Sequence, residues 1–219
     1  MNNIATIAQA VAVISACWAI ISGVGAWKRE FIGKRQIELA EQVLAKFFEV
    51  RDAISFIRNP FSSTEEGKSR HKSEREQPHE SELLDRGYIV VERYEKKEKV
   101  FAEFNTLKYK FMAAFGAETE EIFAETNKAL HSIFSSARLL ATHYWLRQGR
   151  VQMEADEFQK HLDGMHRHEG IFWDIYSEDD EIRKKLKEIQ KILEDTTAPC
   201  FKEPMKTYSL LTWKWFEKG

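Results

Sequence analysis

Proline and glycine are scarce, 4 and 10 in 219 residues. An all-β or loop-rich chain needs such residues at every turn, so both classes are disfavoured from the outset. Cysteine is scarcer still: Cys17 lies in an apolar run and Cys200 near the far end, so no disulfide framework is expected. No Asn-x-Ser/Thr acceptor occurs, and both absences suit a domain facing a reducing cytosol. An excess of one charge is lacking too. The 33 basic and 35 acidic side chains nearly cancel, which leaves no whole-molecule field to gather nucleic acid. Glycine-rich phosphate loops and Gly-x-Ser-x-Gly elbows are also missing.

What remains is rich in Glu, Lys, Leu, Ala and Arg, the composition of long helices. With 15 Phe, 6 Trp and 6 Tyr there is enough bulky apolar surface for a packed core. The expected fold class is all-α: one N-terminal transmembrane helix followed by a cytoplasmic helical bundle of about five helices.

The transmembrane expectation rests on Ile4 to Trp27, which holds no ionisable group except the Cys17 thiol. As a helix at about 1.5 Å per residue it reaches roughly 36 Å, against about 30 Å of hydrocarbon. The alternative is a buried helix of a soluble core. A cleaved leader fits less well, because Met1-Asn2-Asn3 carries no cation. The cations follow instead, as Lys28, Arg29, Lys34 and Arg35, with Glu30 alone opposing them. Under the positive-inside rule that flank stays in the cytoplasm, with Trp27 at the boundary. The expected placement is therefore the cell's inner (plasma) membrane, N-terminus outside and C-terminal domain inside.

Small residues line this segment. Ala5, Ala12, Ala19 and Ala26 recur every seven positions, with Ala8, Ser15 and Ser22 between them. Small side chains at that spacing let two helix backbones approach closely in lipid. The expected partner is a second copy or another membrane helix; the alternative is an Ala-rich span with no partner.

Three regions are expected: an anchor over 1–33, a helical domain over 34–200, and an aromatic and basic tail over 201–219. The apolar register Ala40, Val43, Phe47, Val50, Ile54, Ile57 predicts that the first helix continues to Arg58-Asn59-Pro60, weakened at Gly33. From Ser62 to Pro78 no apolar side chain is available to hold the chain, so 61–80 is read as a mobile polar loop. Further helices are predicted over Ser81–Phe115, Glu120–Arg147 and Glu154–Glu169. Another is predicted from Ser177, behind Glu178, Asp179 and Asp180, to a stop before Pro199.

Among features that carry chemistry, His161 to Glu169 is the densest, with Glu157, His161, Met165 and His168 on one helix face. Metal binding is weighed against ordinary surface histidines. His161 and His168 stand about 10 Å apart along a helix, and the cluster lacks Glu-x-x-His and His-x-x-x-His spacings. Cys200, beside Pro199, lacks the cationic neighbours of a reactive thiol apart from Lys202. Arg183-Lys184-Lys185-Leu186-Lys187 alternates with acids and reads as a solvated face. Met205 to Phe216 mixes aromatics with Lys206 and Lys214. That suits a bilayer interface or a partner surface, although a tail folded back over the bundle is the plainer expectation.

No catalytic, cofactor-binding or metal residue is assigned, and no cofactor is expected. The functional expectation is a membrane-anchored interaction or scaffold protein that self-associates and binds an unknown cytoplasmic protein. The alternatives are a helical ligand- or metal-binding enzyme whose site is assembled in space, and an effector that disturbs membranes.

Overall fold

The computed structural model describes residues 2–202, and within them all regular structure is helical. Six helices longer than a single turn occur among the described residues. They are α1 (Asn2–Ile57), α2 (Pro78–Glu95), α3 (Glu98–Phe115), α4 (Glu120–Leu139), α5 (Ala155–Phe172) and α6 (Glu181–Lys202). The all-α expectation holds. The chain divides into two compact units, residues up to 41 with those from 197 onward, and residues 42–196.

The first unit contains most of α1. From Thr6 to Trp27 every side chain is exposed except at Ser22 and Gly25, which are half-buried. Exposure reaches 64% at Trp18 and 72% at Ile21. Gly33 does not interrupt the helix. Past the apolar run, Glu30 pairs with Lys34 at 2.8 Å, and Trp27 stacks on Phe31 with centroids 5.8 Å apart.

The second unit has a conventional core. Val43, Phe47, Val50, Ile54 and Ile57 of α1 are buried, as the three-and-four spacing predicts. Phenylalanines extend this stripe: Phe47 meets Phe104 at 6.2 Å, and Phe104 stacks on Phe123 at 4.6 Å. α6 contributes Ile182, Leu186, Ile189 and Leu193. Gly87 brings α2 against α4, since a Cβ there would lie 2.8 Å from the Ala141 Cβ.

Four boundaries differ from expectation. The single helix predicted over Ser81–Phe115 is two, because α2 ends at Glu95 and α3 starts at Glu98. Residues 95–99 are Glu-Lys-Lys-Glu-Lys, so nothing apolar holds that turn in register; the chain bends and Phe101 packs on Tyr94 at 5.2 Å. α2 also begins early, at Pro78, whose missing N–H is harmless in a first turn. The helix predicted over Glu120–Arg147 contains a π-helical turn, Leu140–Tyr144, before its last residues Trp145–Arg147. α6 starts at Glu181 rather than Ser177, because Asp180 is the cap: its Oδ1 accepts the Arg183 N–H at 2.9 Å. Pro199 lies inside α6 instead of ending it; so close to the helix end, its missing N–H removes one bond only.

The end of α1 is held by two buried arginines. Arg93 of α2 donates to the Ile57, Asn59 and Phe61 carbonyls at 3.3, 2.5 and 2.7 Å and pairs with Glu66 at 2.7 Å. A helix C-terminus leaves such carbonyls without partners, and here a side chain supplies them. Arg58 points the other way. Its Nε donates to Ile171 O at 2.8 Å, and Nη2 donates to Gly170 O and Trp173 O at 2.7 and 2.8 Å. Both terminal nitrogens grip Asp180, at 2.9 and 2.7 Å. The side chains of Arg58 and Asp180 are 1% and 0% exposed.

The polar segment 61–77 is tied down by charge. The Gly67 N–H donates to Glu92 at 2.8 Å, Arg70 bridges Glu76 and Asp85, and Lys72 reaches Asp85 at 2.6 Å. The Arg70 guanidinium holds the Glu76 carboxyl down at about 2. Gly67 takes φ +85° with Asp85 O where a Cβ would stand, a position only glycine fills.

Removing Asp180 strands the buried Arg58 guanidinium. Asp180→Ala is expected to lower unfolding free energy by about 3–5 kcal/mol in a urea titration. Gly87→Ala, which crowds Ala141, is expected to lower it by about 1–3 kcal/mol in the same assay.

Candidate functional site

The largest uncommitted feature among the described residues is the exposed part of α1. It is a helix near the N-terminus long and apolar enough to cross a membrane, with none of its apolar window buried. Projected at about 100° per residue, its side chains sort by size. Ala8, Ala12, Ser15, Ala19, Ser22 and Ala26 fall on one third of the circumference, while Val11, Val13, Ile14, Trp18, Ile20, Ile21 and Val24 fill the opposite half. Ala8, Ala12, Ser15, Ala19 and Ala26 are exposed and Ser22 half-buried; the Ala5 side chain lies outside the described ones. A helix apolar all round has no water-facing side, unlike the amphipathic helices of the second unit. Trp27, Lys28, Arg29, Lys34 and Arg35 follow as an exposed belt, with the Arg35 guanidinium 5.9 Å above the Phe31 ring.

The histidine region is arranged differently from expectation. His161, read as a surface group, is 6% exposed. The π-helical turn is the reason: it sets Tyr144 between His161 and His168, with centroids at 5.4 and 5.3 Å, and so covers His161. Gly164 accommodates that ring, since a Cβ there would sit 2.5 Å from the Tyr144 Oη. His168 Nδ1 meets the Ser136 hydroxyl at 3.0 Å, and His161 Nε2 is buried without a hydrogen-bond partner. Met165 is buried, whereas Glu157 reaches out to Arg147 at 3.2 Å. No group of three or more His, Cys, Asp or Glu is set to hold a metal among the described residues.

A cleft of about 440 Å³ opens between the end of α1 and α6. Ile54 and Leu186 form its apolar part, and Arg51, Ser55 and Gln190 edge it. Arg51 donates to Gln190 at 3.3 Å. The basic run on α6 is matched residue by residue: Arg183 with Asp174 at 2.8 Å, Lys184 with Asp179 at 2.9 Å, Lys185 with Glu125, and Lys187 with Glu178 at 2.5 Å. It is a neutralised face and makes no footprint for phosphates. Burial acts to raise the Asp174 carboxyl, but the Arg183 bonds and the Tyr176 N–H outweigh it and hold it below the usual range. Tyr176 sits at φ +52°, a conformation stabilised by that N–H bond and by Arg183 5.1 Å from its ring. Burial pushes the half-buried Cys200 thiol up, away from the thiolate that reactivity needs.

The residues that organise this unit were not singled out in the sequence: Arg58, Arg93, Asp174 and Asp180. A signal for the arginines did exist. Arg58 follows Ile54 by four positions and Arg93 follows Ile89 likewise, which puts a cation in each apolar stripe. The aromatic and basic run Met205 to Phe216 lies outside the described residues. No family model, no curated protein and no solved structure matches the chain.

Burial, and secondarily Arg167, lowers the His168 pKa. The fold therefore favours the neutral ring, and its stabilisation is complete above the ordinary histidine value of about 6.5. It is lost as pH falls from there through the lower folded value. Melting temperature should drop over that interval, and His168→Gln should show a shallower drop than the parent chain.

Proposed function

We propose that this is a membrane-anchored helical interaction protein. The first stretch of α1 crosses the inner membrane with the N-terminus outside, and residues 42–196 form a domain on the cytoplasmic side. The observation that carries this reading is the all-round apolar surface of an uncovered helix. In water that surface would be unfavourable at every residue, whereas in hydrocarbon it is matched, and a helix satisfies its own backbone. The belt from Trp27 to Arg35 supports the orientation, because cations near a span end stay in the cytoplasm.

The division of the span into a small face and a bulky face supports self-association. Two copies meeting through Ala12, Ser15 and Ala19 approach closely and pack backbone on backbone, while the valines, isoleucines and Trp18 face lipid. Association in the bilayer then displays paired helical domains to a cytoplasmic protein. The domain's matched surface charges imply recognition by shape and local contacts more than by a long-range field.

Two measurements test this. The full chain should stay with membranes through high-salt and alkaline washes and leave only in detergent; recovery in the wash supernatant would remove the anchor. Ala12→Leu combined with Ala19→Leu should reduce association in a membrane dimerisation reporter several-fold, while Ile14→Leu on the opposite face should not.

A further inference from the structure

The direction in which α6 runs has a consequence for the segment that follows it. Within residues 42–196, α6 is antiparallel to the end of α1. Its cap Asp180 holds Arg58, and further along Gln190 accepts from Arg51, one step back toward the start of the chain. The remaining turns of α6, from Thr197, belong to the same compact unit as α1 up to Glu41. Thr197 and Ala40 are both fully buried there. The chain thus leaves α6 heading along α1 toward the basic belt that begins at Trp27 and Lys28.

Helical rise shows how far it has to go. From Arg51 back to Trp27 α1 climbs about 36 Å, and from Gln190 to Lys202 α6 climbs about 18 Å, at ~1.5 Å per residue. The difference, about 18 Å, lies within the reach of the residues between Lys202 and Trp213, which span about 16 Å as helix and up to about 36 Å extended. What arrives at that level is Tyr208, Leu210, Leu211, Trp213, Trp215 and Phe216 with Lys206 and Lys214, and no acid between Met205 and Phe216. Indoles and lysines are the side chains that settle where hydrocarbon meets water. The ring body enters the acyl boundary while the N–H or ammonium stays with headgroups and water.

We propose that residues 205–216 lie in the interface on the cytoplasmic face of the same bilayer that α1 crosses, as a second membrane contact. The inference rests on the membrane reading above. Apolar area and lysine charge both favour that position, and tethering by α6 removes most of the entropic penalty of bringing the segment to the surface. The helical domain is then held to the membrane at both its entry and its exit.

The full chain with Cys17→Ser and Cys200→Ser, reconstituted in phosphatidylcholine vesicles, provides the test. A nitroxide is attached singly at Ile14→Cys, Trp215→Cys or Glu65→Cys, and relaxation by oxygen is compared with relaxation by a water-soluble nickel chelate. Position 65, in the polar segment, is the water reference. Oxygen-to-nickel accessibility several-fold above that reference at both 14 and 215 is the expected result. A water-like ratio at 215 with a lipid-like ratio at 14 overturns the second contact and leaves the anchor intact. A label at 215 shielded from both relaxants also overturns it, because the tail then packs on protein. A water-like ratio at 14 overturns the membrane reading itself. Should Trp215→Cys fail to fold, a label at Leu211→Cys reads the same interface.

Discussion

Arg58 is the group on which the rest of the second unit depends. A guanidinium taken out of water is unfavourable by several kcal/mol unless its donors find acceptors, and bare attraction to one carboxylate does not offset that. Here the acceptors come from separate stretches of chain: the Asp180 carboxylate ahead of α6, and the Gly170, Ile171 and Trp173 carbonyls where α5 ends. In return the Arg58 carbonyl accepts the Asp174 N–H at 2.7 Å. One side chain thereby fixes where α1 stops, where α5 stops and where α6 begins. Asp180 serves twice, as Arg58's counter-ion and as the cap of α6, so the direction of α6 is coupled to the end of α1.

Arg93 completes the arrangement from the opposite side. It satisfies the last carbonyls of α1 and draws in Glu66, and so anchors a polar segment that has no apolar residue to bury. Glu66 is held below the usual carboxylate range by its bonds to Arg93. Two arginines thus provide what side-chain hydrophobicity provides elsewhere. Their geometry is specific, because a planar fork demands acceptors in fixed directions.

The two parts of α1 meet opposite solvents. Beyond residue 42 its apolar stripe is covered by phenylalanines and by α6, while before residue 28 apolar side chains surround the helix and nothing described covers them. A single covalent element thus carries both a protein core and a surface suited to lipid. That continuity makes it a mechanical link: rotation or pairing of the membrane part is passed along a rigid helix to the Arg58 site, since α1 has no break at Gly33 or at Pro60's side of the loop before Ile57.

The sequence by itself determined the helical class, the apolar run that sets α1 apart, and the stripes of α1, α4 and α6. Those depend on periodicity, which is local and survives without knowledge of neighbours. It also carried the division of the span into small and bulky faces. The break between α2 and α3, the π-helical turn that buries His161, the start of α6 and the anchoring of 61–77 were decided only by tertiary structure. In each case the deciding partner is far along the chain: Arg58 meets Asp180 across the whole of α2 to α5, and Glu66 meets Arg93 across a loop. A charged residue within an apolar stripe looks like an irregularity until its acceptors are brought to it, because the free energy that makes it structural arises only when distant groups are desolvated together.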